Sequence, residues 1–211
     1  MTLTFLDIAT TPSVRAAQSA NGSAAHYASF KSKRTSQDLG EAEIAFIAAR
    51  DSFYMASVSE TGWPYVQHRG GPPGFLRVLD AKTLAFADFR GNRQYISLGN
   101  LTADGRASLI LMDYPNRARL KLYVRIEAKD IAAEPGLEEK LIVPGYKAKP
   151  ERALVMHVEA FDWNCPQHIT PRFSETELAD ALAPVRQRIA DLELENTQLR
   201  RRLNDREGVQ A

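Results

Sequence analysis

A chain of 211 residues, 44% hydrophobic, has the material for one domain of ordinary size plus extra length, or for two small domains. Its 27 basic and 26 acidic side chains leave a formal net charge of +1, which gives no electrostatic ground for nucleic acid or a membrane surface as partner. A single cysteine, Cys165, excludes an internal disulfide framework. No apolar run is long enough to span a bilayer and the first residues lack the pattern of a signal peptide, so the expectation is a soluble cytoplasmic protein.

Residues 1–40 mix Ala, Ser and Thr with scattered charges and read as a partly ordered arm with a short helix or two. In "SQDLGEAEIAFIAARD", Ile44, Ile47 and Ala48 share one helical face, so a short helix should end near Asp51. The period then changes. "SFYMASVSETGWPYVQHRG" reads strand, turn, strand, with Glu60-Thr61-Gly62 as the turn; "GFLRVLD" and "TLAFADF" read as a second strand pair. "RQYISLGNL" is a short helical pattern, "RASLILMDY" and "ARLKLYVRIEAKDIAAE" are strands, "PGLEEKLIV" is a short helix, and "RALVMHVEAFDW" is the last strand. The crossover helices of a parallel α/β protein are missing. The expectation is a mainly β fold with peripheral helices: a six-stranded antiparallel barrel over residues 41–173.

Residues 174–211 differ in character. Ser174 to Glu177 form a capping box, and from Val185 the apolar residues recur in alternating steps of four and three. Val185, Leu192 and Leu199 fall at heptad position d; Ile189, Asn196 and Leu203 fall at a. Arg188 at g would face Glu193 at e of a partner helix, and Glu195 would face Arg200. This reads as a C-terminal helix forming a parallel coiled coil in a homodimer; the plainer alternative is one amphipathic helix lying on its own barrel.

Four stretches carry polar chemistry beyond what the fold needs. In "FADFRGNRQYISLGNL" a strand hands over to a helix at a Gly-Asn-Arg-Gln corner. Asn92 suits a helix N-cap, Gly91 allows close approach, and Arg93 offers a planar fork, so a phosphate could bind there; an ordinary solvated turn would look similar. In "QHRGGPPGF", strand alternation puts Gln67 and Arg69 on one face and His68 on the other, ahead of a rigid Gly/Pro loop. In "RARLKLYVR", Arg117, Arg119, Lys121, Tyr123 and Arg125 alternate with apolar residues, giving one cationic face that could be solvated or could help hold an anion. "FDWNCPQHITPRF" is dense in donors and acceptors. Nothing places Cys165 and His168 with a third group, so covalent catalysis has no support, and Cys165, His157 and His168 make a poor metal set. No G-x-G-x-x-G fingerprint is present.

Taken together and in this order, "FIAARDSFYMASVSETGWPYVQHRGGPPGFLRVLD", "LAFADFRGNRQYISLGNL", "MDYPNRARLKLYV" and "FDWNCPQHITPRF" resemble the pyridoxamine 5′-phosphate oxidase-related family of flavin-binding split barrels, over roughly Ala42 to Phe173. The match is to a subgroup of flavoproteins distinct from the true oxidase. The resemblance implies a split barrel, a homodimer, and FMN at the interface with residues from both chains. It implies that Gln67, His68, Arg69 and the adjoining Gly70 run beside the flavin and ribityl chain and that Asp88 and Phe89 flank it. Asn92, Arg93 and Gln94 would hold the phosphate, and Arg119 or Lys121 would reach it. Trp163, Gln167, His168 and Arg172 would close the site from the other protomer. The segment "PQHITPRF" departs from the true oxidase, so vitamin B6 is not carried over as substrate. The implied activity is an FMN-dependent oxidoreductase acting on a small molecule, with NAD(P)H as a transient donor. The alternative is a redox sensor or flavin carrier without turnover.

Overall fold

The computed structural model describes residues 3–28, 38–134, 136–163 and 166–208; Cys165, weighed above as a nucleophile, lies outside the described residues. The chain divides into two compact units, Met1–Ile169 and Thr170–Ala211.

The first unit opens with three short helices, α1 (Phe5–Ala9), α2 (Pro12–Ala20) and α3 (Ala24–Ala28), followed by α4 (Glu41–Ala48). Thr4 and Asp7 close α1 with a reciprocal capping box, and Thr11 caps α2 with Pro12 at its first position. On α4 the buried residues are Glu43 and Ile47, whereas Ile44 stays exposed. The expected Ile44–Ile47–Ala48 face is therefore rotated. Its cause is polar: Glu43 turns inward to accept hydrogen bonds from the Gly40 N–H at 3.0 Å and the Trp163 indole Nε1–H at 2.6 Å.

The strands are β1 (Ser52–Val58), β2 (Pro64–Gly70), β3 (Arg77–Asp80), β4 (Thr83–Phe89), β5 (Arg106–Asp113), β6 (Ala118–Lys129) and β7 (Pro150–Trp163). Two helices interrupt them, α5 (Ile96–Ala103) before β5 and α6 (Leu137–Leu141) before β7. There are seven strands, not the six expected of the barrel; the stretches read as strands number seven, and each of them forms one, the shortest being the four-residue β3, an edge strand paired only with β4. All pairings are antiparallel, in the order β2-β1-β5-β6-β7-β4-β3. The β1–β2 hairpin turns where Glu60-Thr61-Gly62 was expected to turn it, with Gly62 at φ 85°, a region that favours glycine.

The sheet curls on itself. Four strands separate β2 from β4 in the hydrogen-bonded order, yet Arg69 of β2 reaches Asp88 of β4 at 2.7 Å. Phe53 of β1 meets Phe86 of β4 edge-on, with ring centroids 5.4 Å apart. Strand periodicity makes this possible. Along β6, Leu120, Leu122, Val124 and Ile126 are buried while Arg119, Lys121, Tyr123 and Arg125 face away. The inward residues join Met55, Leu84, Leu109, Leu111, Leu154 and Met156 in one core. Each such side chain contributes about 1.5–3 kcal/mol on burial. A smaller cluster on the other side of β4 and β7 is covered by Leu137 and Leu141 of α6.

The second unit is one helix, α7 (Glu175–Gly208), continuous through Pro184. Ser174 and Glu177 form its capping box: the Glu177 N–H donates to Ser174 Oγ at 3.2 Å, and the Ser174 N–H to Glu177 Oε2 at 2.7 Å.

Candidate functional site

Where the open edges of the barrel approach one another, β2, β4 and the start of α5 enclose a pocket of about 220 Å³. β2 turns Tyr65, Gln67 and Arg69 toward it by simple alternation. His68 points the other way and meets Tyr54 edge-on at 5.5 Å.

Asp88 is the electrostatic centre. It is buried, and two guanidinium groups neutralise it: Arg69 Nη1 donates to Oδ1 at 2.7 Å and Arg152 Nη1 to Oδ2 at 3.1 Å. Arg152 is in place because it stands directly opposite Asp88 in the β4–β7 register. Arg69 Nε is buried and has no hydrogen-bond partner. A buried donor of that kind is costly unless something accepts from it.

The corner after β4 is irregular. Arg93 has φ 62° and Tyr95 φ 54°, both left-handed, a conformation that L side chains seldom adopt. The expected N-cap role of Asn92 does not hold. α5 begins only at Ile96, with Tyr95 at the cap position and no side-chain hydrogen bond there; Asn92 Oδ1 instead accepts from the Gln94 N–H at 3.2 Å. The left-handed residues break the helical pattern that "RQYISLGNL" displays, so the helix loses its first three residues. The first turn of α5 therefore presents backbone N–H groups at the pocket wall, where Ile96, Ser97 and Leu98 lie. Ser97 Oγ donates to Gln67 Oε1 at 2.7 Å, tying α5 to β2. Tyr95 accepts from Arg93 Nε at 3.3 Å and donates to Glu151 Oε1 at 3.2 Å. That hydroxyl holds the Arg93 guanidinium above its ordinary pKa, with Glu151 adding a smaller effect of the same sign. Arg152 lies over the Tyr95 ring at 5.1 Å.

The pocket thus brings together Gln67, Arg69, Asp88, Phe89, Asn92, Arg93 and Gln94. Phe89 also packs edge-on against Tyr146 at 5.1 Å. Outside it stands Gly70, opposite Ser52 at the end of β2. Lys121 pairs with Asp162 at 3.0 Å and lies over the Phe5 ring at 4.5 Å, so α1 covers it. Arg119 stands opposite Met112 on the outward phase of β6. Trp163 is engaged within its own chain, by Glu43 and by edge-on contact with Phe46 at 4.7 Å. Gln167 and His168 are exposed, His168 with φ 63°, and Arg172 belongs to the second unit.

Sequence reasoning missed Tyr65, Tyr95, Ser97, Glu151 and Arg152. Tyr65 was within reach, since it shares the phase of Gln67 and Arg69. Glu151 and Arg152 had no local signal: the β4–β7 pairing sets Arg152 against Asp88, and the irregularity between Asp88 and Phe89 leaves Glu151 at the pocket wall. Among the described residues, no group of three or more His, Cys, Asp or Glu side chains could hold a metal ion.

Residues 39–160, more than half of the chain, match the family model described as pyridoxamine 5′-phosphate oxidase. The chain belongs to the pyridoxamine 5′-phosphate oxidase family. The family match runs from just before α4 into β7, so every pocket residue named above falls within it, while Trp163, Gln167, His168 and Arg172 fall after it. Similar solved structures include HupZ from Group A Streptococcus, with 16% identity, covering 64% of this chain and 100% of that one at a TM-score of 0.45. Another is an FMN-binding protein from Syntrophomonas wolfei, with 16% identity, 57% and 81% coverage and a TM-score of 0.43. A third is a Clostridium acetobutylicum protein related to general stress protein 26, of the pyridoxinephosphate oxidase family, with 18% identity, 63% and 92% coverage and a TM-score of 0.41. At such scores they add no weight to the assignment, which rests on the family model. No curated protein matches the chain in sequence. No helix among the described residues is long and apolar enough to cross a membrane.

Proposed function

We propose that the chain is an FMN-binding oxidoreductase of this family, with the cofactor's phosphate at the Asn92–Ser97 corner. The observation that carries the reading is the buried Arg69 Nε–H, without a partner, on an arginine that Asp88 locks beside the pocket. It stands among donors suited to an anion: Arg93, the Asn92 and Gln94 amides, and the N–H groups at the uncapped start of α5. Gly91 supports this, because a Cβ added there would meet no other atom within 4 Å, so the lining backbone lies open to an incoming group.

The residues present fit FMN in donor chemistry, although Asp88 and Glu151 offset the charge of Arg69 and Arg93 along the same wall. When bound, FMN supplies the two-electron redox chemistry. The chain supplies binding and orientation. Arg93, Asn92 and Gln94 would hold the phosphate; Arg69, fixed in direction by Asp88, would turn guanidinium N–H donors that Asp88 does not use toward an anionic or carbonyl edge of the ligand. The volume argues for a second wall. About 220 Å³ is below the roughly 300–1,000 Å³ of small-molecule sites, which supports a homodimer in which another copy completes the enclosure. The substrate is then a small molecule reaching the open side, and a nicotinamide donor would bind there transiently.

The test is an absorbance spectrum and ligand mass on the purified protein, followed by FMN titration of wild type and Arg93→Ala. FMN should bind, and R93A should weaken it by roughly 1.5–3 kcal/mol, about 10- to 150-fold. No flavin after incubation with excess FMN would overturn the cofactor reading; equal retention by R93A would remove Arg93 from the clamp. NAD(P)H-driven reduction followed by reoxidation on an acceptor would separate an enzyme from a carrier.

A further inference from the structure

We propose that α7 pairs with α7 of a second copy in a parallel, in-register, two-stranded coiled coil whose seam runs from Leu178 to Leu203. This interface is built by the second unit alone and stands whether or not the barrel binds flavin.

The helix is longer than its apolar repeat first indicates. Pro184 would ordinarily end a helix, yet α7 continues through it. Two earlier leucines then join the repeat: Leu178 at d and Leu182 at a precede Val185 in the same four-three spacing. The seam grows to 26 residues, about 39 Å at 1.5 Å per residue. Pro184 falls at position c, away from the seam, and Asp180, whose carbonyl loses its amide partner, is exposed. Every apolar seam residue is between 44% and 58% exposed, a continuous stripe that a solitary helix would leave to water.

The occupant follows from complementarity. In a parallel in-register pair each seam residue meets its own counterpart. Asn196 meets Asn196, and the two amides can hydrogen-bond across the seam. Arg188 faces Glu193 and Glu195 faces Arg200 in both directions, so every flanking charge pair attracts. An antiparallel pair of full overlap would set the Asn196 amide against Val185, burying it without a partner. The charges and the polar seam position therefore select one partner, another copy of this chain, and one orientation.

The test uses the full chain on a Cys165→Ser background. Leu199→Cys places a thiol at position d, and Thr197→Cys places one on the outward face as control. Parallel pairing brings the two 199 positions within the roughly 4.4–6.8 Å Cα separation a disulfide requires, so under mild oxidation L199C should cross-link at least about tenfold faster than T197C. Reversing one charge, Arg188→Glu, should slow the L199C cross-link several-fold, and adding Glu193→Arg should restore it. Equal rates for L199C and T197C would overturn the proposal, even for a chain that dimerises through its barrel. Preferential cross-linking of Leu178→Cys to Leu203→Cys in a mixture would overturn the parallel orientation, and with it the proposal.

Discussion

Replacing Asp88 with Asn probes the charge arrangement that orients Arg69. The three side chains are 11%, 14% and 18% exposed for Asp88, Arg69 and Arg152, so they are screened far less than surface ions. Two unit charges about 4 Å apart attract by about 4 kcal/mol at an effective dielectric near 20, and Asp88 faces two such partners. Desolvation of all three offsets most of that gain. Asn keeps the shape and one acceptor, so one charge-assisted hydrogen bond is lost, about 1.5–3 kcal/mol, and two guanidinium groups are left to repel each other. The expected loss is about 2–4 kcal/mol, read as a lower urea midpoint at unchanged slope. Arg152→Met should cost less in the D88N background than in the wild type, because the Asp88 charge has gone and only the Glu151 ion pair and the contact with the Tyr95 ring are left to lose. A loss under about 0.5 kcal/mol would equal that of a screened surface pair and refute the reasoning.

Three further outcomes are expected. Trp163→Phe keeps the edge-on packing on Phe46 but leaves the buried Glu43 without its 2.6 Å indole donor; stability should fall by about 2 kcal/mol in urea, and an unchanged midpoint would show that the bond contributes nothing. Gly71→Ala would set a Cβ 2.7 Å from the Phe75 ring, so a loss of about 1–3 kcal/mol should appear in thermal melts; a neutral result would mean that the Gly/Pro loop yields freely. Asp104 is lowered to about 2, first by the Arg106 side-chain hydrogen bond and then by the Arg106 backbone N–H. Its folded pKa lies below its unfolded one, so its contribution is complete above the unfolded value and is lost as pH falls through about 2. Arg106→Gln should move the Asp104 NMR titration midpoint up toward 3.8, and an unmoved midpoint would contradict the assignment of cause.

The barrel was legible because two-residue alternation is a strong local signal. β6 shows it from Leu120 to Ile126, and β2 divides Gln67 and Arg69 from His68 as alternation requires. The corner was legible as a place where polar side chains gather and misread in detail. Asn92 and Arg93 do line the pocket, but the left-handed Arg93 and Tyr95 cancel the helical start that the residue types favour, and no periodicity reports a positive φ. Glu43 faces inward because of a residue 120 positions away, and Arg152 reaches Asp88, 64 positions earlier, through strand pairing. Such partnerships belong to register and closure, which one chain read along its length does not display.

Arg93 and Tyr95 occupy backbone positions where glycine would be at ease and where other residues pay about 1–2 kcal/mol each. Glycine at either position would relax the chain and remove the guanidinium or the phenol that gives the corner its character. Selection for heat resistance alone would favour that exchange, so this corner is where a stabilised descendant of the protein would first lose the side chains on which the proposed anion site depends.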